Sequence, residues 1–316
     1  MTRHAVWSPY SRWASSSRES PATSRCTRRA VRLPDVGFCP GVEPRRAPDA
    51  RRDGPPRRGP TAVPASEPTI VATSMGFLSR RRGPYDLRPG PVFELAAELA
   101  EAGPAPRLCY LGQAVGDRDS SIAAVHAAFA GTRFRASHLA LFPMPNVDDV
   151  RAHLLAQDVL WVGGGSVANL CAVWRVHGLD EILHECWQAG VVLAGVSAGS
   201  ICWHLGGATD SFGPRLRGFT DGLGWLPYGN GVHYDSEEQR RPLMHALVAD
   251  GTLPTSHCTD DGVGLVYRGT RLVEAVADRP GVAAYEVARA ADGEVRETRI
   301  EPRLLPDRGE PTGGGR

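Results

Sequence analysis

Ser197 is the residue whose type and surroundings point most directly to chemistry. It lies in Gly195-Val196-Ser197-Ala198-Gly199, after the apolar run 191–194, which is typical of a buried strand. The segment 200–205 that follows is predicted to form the first turns of a helix. A strand, a sharp bend with serine and a helix make the G-x-S-x-G pattern of a nucleophile elbow. The glycines leave room for the strained bend, and the helix points amide N–H groups at the same spot. The pattern predicts a serine nucleophile, with a coincidental match in a glycine-rich chain as the alternative.

A serine nucleophile needs a base, and histidine is the expected one. The chain contains no lysine, which excludes a Ser–Lys dyad, a Schiff base and a P-loop lysine. His233 is preferred because it lies in the turn-rich segment 228–235, downstream of the serine. His204 is placed on the predicted elbow helix, pointing away from the bend, and is expected to be structural. His257 begins a late strand and is a weaker candidate.

The acid that orients the base is expected between the serine and the histidine, the order found in other elbow hydrolases. Asp210 and Asp221 meet this condition, whereas Asp235 follows the histidine. Asp210 is preferred because it comes just after the predicted elbow helix, where a loop can fold back beneath the histidine. The alternative is an aspartate that forms a local turn or cap without any catalytic role.

A glycine run, Gly163-Gly164-Gly165, follows the predicted strand 159–162. It lacks the Gly-Lys-Ser/Thr ending of a P-loop and the full G-x-G-x-x-G of a dinucleotide site. Beside a serine elbow, the N–H groups of Gly164 or Gly165 and of Ala198 are expected to form an oxyanion hole. One such donor is typically worth ~10²–10³ in rate. A phosphate cradle or a plain strand-to-helix turn remains the alternative.

Composition limits the classes of partner and compartment. The chain has 316 residues, 42% of them hydrophobic, and a formal net charge of +1, so no general attraction to nucleic acid or membrane is expected. Its seven cysteines show neither C-x-x-C pairs nor zinc-ligand spacing, which indicates a reducing compartment and neither a disulfide framework nor a metal site. No apolar stretch approaches the ~20 residues of a membrane span.

Three regions are predicted along the chain. Residues 1–66 form an Arg-, Pro- and Ser-rich extension, expected to be disordered and without function. A basic arm for nucleic acid and an organelle transit peptide are the alternatives for it. Residues 67–300 form the enzyme domain, and residues 301–316 a flexible tail.

The domain is expected to be α/β, with a doubly wound, mostly parallel sheet covered by helices on both faces and a C-terminal β-hairpin region. Ligands of such sheets bind at the carboxyl ends of the strands, where both the glycine run and the serine lie. The predicted strands are 69–76, 108–112, 137–142 and 159–162, and the predicted helices are 91–102, 119–129, 148–156, 168–176 and 179–188.

The segments 162–166, 195–200 and 230–233, together with Asp210, resemble the peptidase E family of aspartyl dipeptidase and cyanophycinase relatives. Asp260-Asp261-Gly262 before an apolar strand is also similar to the late segment of that family, and the resemblance covers residues 68–290. It implies a fold like that of class I glutamine amidotransferases, with serine in place of their cysteine. It also implies a cytoplasmic serine peptidase that needs no cofactor.

The resemblance implies a catalytic triad of Ser197, His233 and Asp210 that cleaves small peptides, with N-terminal aspartyl dipeptides as candidates, through an acyl-enzyme. Ser166 departs from the asparagine common after the glycine run, and Ser166 and Asn230 are candidate substrate contacts. The candidate residues for binding a carboxylate on the substrate side chain are Arg135, Arg215, Arg217 and Arg240.

Other readings remain open at this point. The same machinery could act on a different amide or ester, as in cyanophycinases, or the protein could bind a small molecule without turnover. A small peptide is the expected partner, nucleic acid and membrane are not, and a homodimer is left open.

Overall fold

The computed structural model describes residue 65 and residues 67–80 and 86–307. The predicted disordered extension lies outside these residues, apart from Ala65, whose N–H donates to Gly190 O at 3.1 Å. Residues 308–316 of the predicted tail also lie outside them.

Strands and helices alternate through the first two thirds of the described chain. The strands are β1 (Thr69–Thr73), β2 (Phe77–Ser79), β3 (Leu87–Pro89), β4 (Arg107–Leu111), β5 (Arg135–Leu139), β6 (Val159–Val162), β7 (Val192–Val196), β8 (His204–Thr209), β9 (Arg217–Phe219), β10 (Leu226–Gly231), β11 (Ser256–Thr259), β12 (Val263–Arg268), β13 (Arg271–Ala277), β14 (Ala284–Arg289), β15 (Val295–Ile300) and β16 (Arg303–Leu304). The α-helices are α1 (Pro91–Leu99), α2 (Asp119–Phe129), α3 (Val150–Leu155), α4 (Val167–His177), α5 (Leu179–Gln188), α6 (Ala198–Ile201) and α7 (Arg240–Ala249).

The main sheet has eight strands in the order β16-β13-β12-β1-β7-β6-β4-β5. Strands β1, β7, β6, β4 and β5 run parallel, while β12 is antiparallel to β1 and β13 to β12. The parallel strands are apolar runs because both of their faces are covered. This arrangement confirms the predicted fold class.

Successive residues of β6 serve the two faces of the main sheet, as the pleat of a strand requires. Trp161 packs on one face against Phe93 of α1, with ring centroids 4.3 Å apart. Its neighbour Leu160 points to the other face, into the apolar cluster that contains Trp174 of α4 and Leu183 of α5. Helices therefore cover both faces.

A second sheet has six strands in the order β15-β14-β11-β10-β8-β9, of which only the terminal hairpin and the late strand at His257 were predicted. The β14–β15 pair is antiparallel and corresponds to the predicted C-terminal hairpin region. The predicted helix over 200–205 is wrong in its length, because α6 ends at Ile201 and His204 begins β8. The turn 260–262 leads from β11 in this sheet to β12 in the main sheet, so the two sheets meet there.

Residues 301–307 belong to the fold, which corrects the prediction of a flexible tail from residue 301. Arg303 and Leu304 pair with β13, Leu305 is buried, and its N–H donates to Ala277 O at 2.8 Å. Among the described residues, no helix combines the length and the apolar character that crossing a membrane requires.

Candidate active site

Ser197 lies between β7 and α6 in a backbone conformation that is rare for a residue with a side chain, φ 58° and ψ −114°. Its N–H donates to Thr73 O at the carboxyl end of the neighbouring strand β1, at 3.1 Å. Its carbonyl accepts from Ser200 N and Ile201 N, which starts the single turn of α6. The hydroxyl is half-buried and makes no hydrogen bond with another described residue. The strand, bend and helix thus hold this hydroxyl at the edge of the sheet.

The two glycines beside the bend are required by close backbone approaches. A Cβ on Gly195 would lie 2.4 Å from Gly199 O, and one on Gly199 would lie 2.4 Å from Val162 O. Contacts this short cannot be accommodated without moving β6 or β7. The predicted steric role of these glycines therefore has a physical basis in the packing of the bend against β6.

The glycine run lies directly beside the serine. A Cβ built on Gly164 would be 3.1 Å from the Cβ and 3.7 Å from the Oγ of Ser197. Gly165 has φ 138° and lies so close to Ala114 O that a Cβ would be 2.4 Å away. The N–H groups of Gly164, Gly165 and Ala198 donate to no other described residue. Gly164 and Ala198, which both adjoin Ser197, and the next glycine of the run therefore have unengaged N–H groups, the kind of donor that an oxyanion requires.

His233 follows the end of β10 and pairs with a carboxylate. Its Nδ1 lies 2.5 Å from Asp261 Oδ1, and the two side chains are 18% and 19% exposed. Because an ionised carboxylate only accepts hydrogen bonds, Nδ1–H is the donor. The other ring nitrogen, Nε2, is then left to accept a proton. The His233 N–H donates to Ser74 Oγ at 3.1 Å, one residue beyond the carbonyl that holds Ser197.

The pairing of His233 with Asp261 follows from the order of strands in the second sheet. Strands β10 and β11 are parallel neighbours in which Gly231 lies opposite Cys258. Residues that follow the ends of these two strands therefore lie side by side, although 28 positions separate them in the sequence. The Asp261 N–H donates to Asp235 Oδ1 at 2.8 Å, which fixes the turn that carries the carboxylate.

Asp261 is held in its ionised form. Burial acts to raise its pKa, but the hydrogen bond and the charge of His233 outweigh this, with smaller contributions from Ser236 and Arg279. The pKa therefore lies below its ordinary value of 3.8. A carboxylate of this kind can orient an imidazole and stabilise its protonated form.

Asp210, the expected acid, does not meet His233. It lies exposed in the turn after β8, where its carbonyl accepts from Gly213 N at 3.0 Å. Asp221, the other candidate, forms an ion pair with Arg175 at 2.9 Å. The expected pairing is not found because it assumed the chain order serine, acid, histidine, whereas the carboxylate that His233 contacts comes after it in the chain. The Asp260-Asp261-Gly262 turn was the sequence signal that could have located it.

Two further histidines are structural. His204 is fully buried, its Nδ1 donates to Ser200 O at 2.9 Å, and its Nε2 lies 3.3 Å from the Tyr267 hydroxyl. Burial lowers the pKa of His204 from 6.5 to about 3, so the ring is neutral at physiological pH. His257 contacts the same hydroxyl at 2.8 Å and is nearly buried. Both rings belong to the core, as predicted for His204.

The two candidate substrate contacts have structural partners. Asn230 is completely buried, with Oδ1 accepting from Ser200 Oγ at 2.9 Å and Nδ2 donating to His257 O at 3.0 Å. It therefore cannot contact a substrate, which corrects the expectation. Ser166 is half-buried and caps α4 by accepting from Asn169 N at 3.2 Å.

The arginines are distributed differently from the expectation. Arg240 is buried, and its guanidinium donates to Glu237 and to Ala208 O. Arg135 begins β5, which is an edge strand of the main sheet. Arg215 and Arg217 are exposed. Arg279, which was not foreseen, places its guanidinium where a Cβ on Gly262 would be, beside the Asp261 turn.

A cavity of about 340 Å³ lies elsewhere, and none of the candidate residues lines it. Its walls come from α4, α5 and the segment before β10, and they comprise Arg175, Asp180, Glu181, His184, Leu223 and Trp225.

Comparisons with known proteins identify the family of this chain. A family model described as peptidase family S51 matches residues 91–274. The chain is 40% identical over 200 residues to the uncharacterized peptidase YgaJ of Bacillus subtilis (strain 168), covering 63% of this chain and 85% of that protein.

Among solved structures, a peptidase from an acI-B1 actinobacterium is 17% identical with a TM-score of 0.54, covering 75% of this chain and 95% of its own. At this identity it shows the fold alone. A Listeria monocytogenes EGD-e protein provisionally described as peptidase E is 16% identical with a TM-score of 0.47, covering 67% of this chain and 99% of its own. The family match spans more than half of the chain and includes Ser197, His233 and Asp261. The chain therefore belongs to peptidase family S51, the peptidase E family, and is a serine-type peptidase.

Proposed function

We propose that this protein hydrolyses small peptides through a Ser197–His233–Asp261 triad and an acyl-enzyme. The observation that carries the proposal is the 2.5 Å contact between His233 Nδ1 and Asp261 Oδ1. The strained Ser197 and His233 both donate their N–H groups to acceptors at the carboxyl end of β1. These three residue types in this arrangement are the machinery of acyl transfer.

In the proposed reaction, the Ser197 hydroxyl attacks the peptide carbonyl while its proton passes to His233 Nε2. The oxyanion accepts hydrogen bonds from Ala198 N–H and from Gly164 or Gly165 N–H. Asp261 stabilises the imidazolium, which then protonates the departing amine and leaves an ester on Ser197. Water, deprotonated by the same imidazole, attacks that ester; the bond to Ser197 Oγ then breaks, the imidazolium returns a proton to this oxygen, and the carboxylic acid product leaves.

N-terminal aspartyl dipeptides are the proposed first substrates. Recognition of an acidic side chain needs a cation, and Arg279 brings a guanidinium to the turn that carries Asp261. That guanidinium is shared with Asp278, whose Oδ1 lies 3.3 Å from Arg279 Nη1. The proposal predicts faster hydrolysis of Asp-Xaa than of Ala-Xaa peptides.

A cytoplasmic location is proposed together with this activity. The five described cysteines are free and buried, as is usual in a reducing compartment. Burial raises the pKa of Cys109 to about 12, so its thiol is unreactive at physiological pH.

The test is covalent labelling with a fluorophosphonate probe, followed by intact-mass measurement. The wild type should carry one adduct, Ser197→Ala none, and Ser137→Ala one, since Ser137 lies on the edge strand β5 and its hydroxyl is engaged with Leu108 O and the Cys109 thiol. An unlabelled folded wild type, or an adduct that persists in Ser197→Ala, contradicts the proposal.

A substrate panel then separates the activities. It compares Asp-Xaa and Ala-Xaa dipeptides, β-aspartyl-arginine and a simple ester, each with the wild type and with Ser197→Ala. Preference for β-aspartyl-arginine or for the ester would replace the dipeptidase proposal while keeping the machinery. Binding without turnover of any substrate would indicate a binding protein.

A further inference from the structure

Ser74 lies at the junction where the catalytic segments are fastened. It directly follows Thr73, whose carbonyl holds the Ser197 N–H. Its side chain accepts from His233 N at 3.1 Å, and its carbonyl accepts from Gly262 N at 3.0 Å, one residue after the proposed acid. Ser74 is only 5% exposed. One buried serine therefore contacts both the segment of the base and the segment of the acid.

The hydrogen-bonding capacity of the Ser74 hydroxyl suits it to this place. A hydroxyl has one hydrogen to donate and two lone pairs that accept. The Ser74 Oγ lies 2.7 Å from Thr259 Oγ1 and 3.3 Å from Thr259 O, so Thr259 is the partner that takes its hydrogen. A lone pair then remains for the His233 N–H. Thr259 ends β11 in the second sheet, so this pair of hydroxyls also ties the two sheets together.

The backbone at His233 needs such support. Its φ of 53° lies in the left-handed region, which residues with a side chain adopt only when their surroundings enforce it. Val232 on one side is fully buried and Tyr234 on the other is 3% exposed, so both neighbours are anchored. Thr259 O accepts from Tyr234 N at 3.1 Å. Ser74 and Thr259 therefore hold two successive N–H groups of the turn that presents the imidazole.

We propose that Ser74 is a positioning residue of the triad, which sets the His233 imidazole against Asp261 and toward Ser197 without contacting the substrate. The inference rests on the proposed function. Its physical basis is that ~1 Å of misplacement of a catalytic group can cost ~10²-fold in rate.

Ser74→Ala removes the acceptor of the His233 N–H together with the hydroxyl contacts to Thr259, and it keeps the backbone hydrogen bonds of Thr73 and Ser74. We expect kcat for the best dipeptide to fall by ~10–10²-fold while KM stays within about twofold, since substrate contacts are unchanged. The matched control is Ser256→Ala, because Ser256 is a buried serine like Ser74 and its hydroxyl bonds only a nearby carbonyl, Pro254 O at 2.8 Å. Ser256 begins β11, at the end remote from the site, so its variant should retain kcat.

A second readout does not depend on turnover. The His233 Nδ1–H, held by Asp261 at 2.5 Å, should give a strongly downfield proton resonance in the wild type. This resonance should broaden or disappear in Ser74→Ala and persist in Ser256→Ala. If the wild type lacks hydrolysis and probe labelling, the proposed function fails, and the resonance still decides the role of Ser74.

The inference is overturned if Ser74→Ala keeps both the resonance and the kcat of the wild type. If Ser74→Ala does not fold, Thr259→Val serves instead, since it removes the hydroxyl that lies 2.7 Å from Ser74 Oγ. A smaller loss of kcat with a broadened resonance supports the inference, and wild-type values of both contradict it.

Discussion

Replacing Asp261 by asparagine is the perturbation that tests the site most directly. The substitution keeps the shape of the side chain but removes the charge that faces His233 Nδ1. For unit charges 2.5 Å apart, Coulomb's law gives ~7 kcal/mol at an effective dielectric constant of ~20 and ~2 kcal/mol in bulk water. Because both side chains are less than one fifth exposed, the interior value is the closer guide.

Most of this attraction is felt only when the imidazole is protonated, which is its state in the transition state. We therefore expect Asp261→Asn to lower kcat by ~10³–10⁴-fold, equivalent to ~4–5.5 kcal/mol. KM should change little, because the carboxylate faces the base and not the substrate.

The assay is steady-state hydrolysis of the best dipeptide, with the rate of fluorophosphonate labelling measured in parallel. The matched control is Asp210→Asn, which makes the same chemical change on an exposed aspartate that forms no hydrogen bond with His233. Thermal unfolding of both variants separates a catalytic loss from a loss of folded protein. A loss below about threefold in Asp261→Asn, or an equal loss in Asp210→Asn, would refute the assignment of the acid.

Two further predictions concern stability. Gly199→Ala should lower the free energy of unfolding by ~1–3 kcal/mol, because the new Cβ would lie 2.4 Å from Val162 O. The control Gly103→Ala, whose Cβ would have nothing within 4 Å, should change it by less than ~1 kcal/mol. Both values are measured by chemical denaturation. Equal losses would disprove the steric argument. The pKa of His204 is 6.5 in the unfolded chain and about 3 in the folded protein, so between these values the unfolded state binds more protons. The free energy of unfolding is therefore fully retained above pH 6.5 and falls by ~1.4 kcal/mol for each pH unit between pH 6.5 and about 3. His204→Gln should flatten that part of the stability–pH curve, and an unchanged slope would contradict the buried neutral ring.

The parallel core of the fold was predictable because its signals are local. Strand β6 was predicted with its observed bounds, 159–162, since all four residues are apolar and buried on both faces. Helix α5 was predicted over 179–188, where Leu179 and Leu183 face the core and acidic residues occupy the first turn. In such segments the order of apolar and polar residues within one element is enough to predict its type and its buried side.

The second sheet could not be predicted in the same way. Strand β8 contains Gly206 and Gly207, which normally indicate a turn. The structure requires glycine there because a Cβ would lie 1.8 Å from Phe219 O at the first position and 2.1 Å from Asn230 O at the second. These neighbours come from distant parts of the chain, so nothing nearby in the sequence reveals the strand.

The residues of the candidate site also differ in whether nearby sequence or strand order reveals them. Ser197 was identified because its strand, bend and helix are contiguous in the chain. Its relation to His233 and Asp261 depends on strand order, which places the ends of β10 and β11 side by side. Asp261 was noticed as part of an Asp-Asp-Gly turn, but only the paired strands show which histidine it meets.

The junction of the two sheets has a consequence for how the molecule fails on heating. Ser197 is held by the main sheet, His233 by the second sheet, and Asp261 by the turn that crosses between them. A slight parting of the sheets would separate nucleophile from base while each sheet kept its own ladder of hydrogen bonds. On heating, activity should therefore be lost at a lower temperature than the circular dichroism signal of the secondary structure.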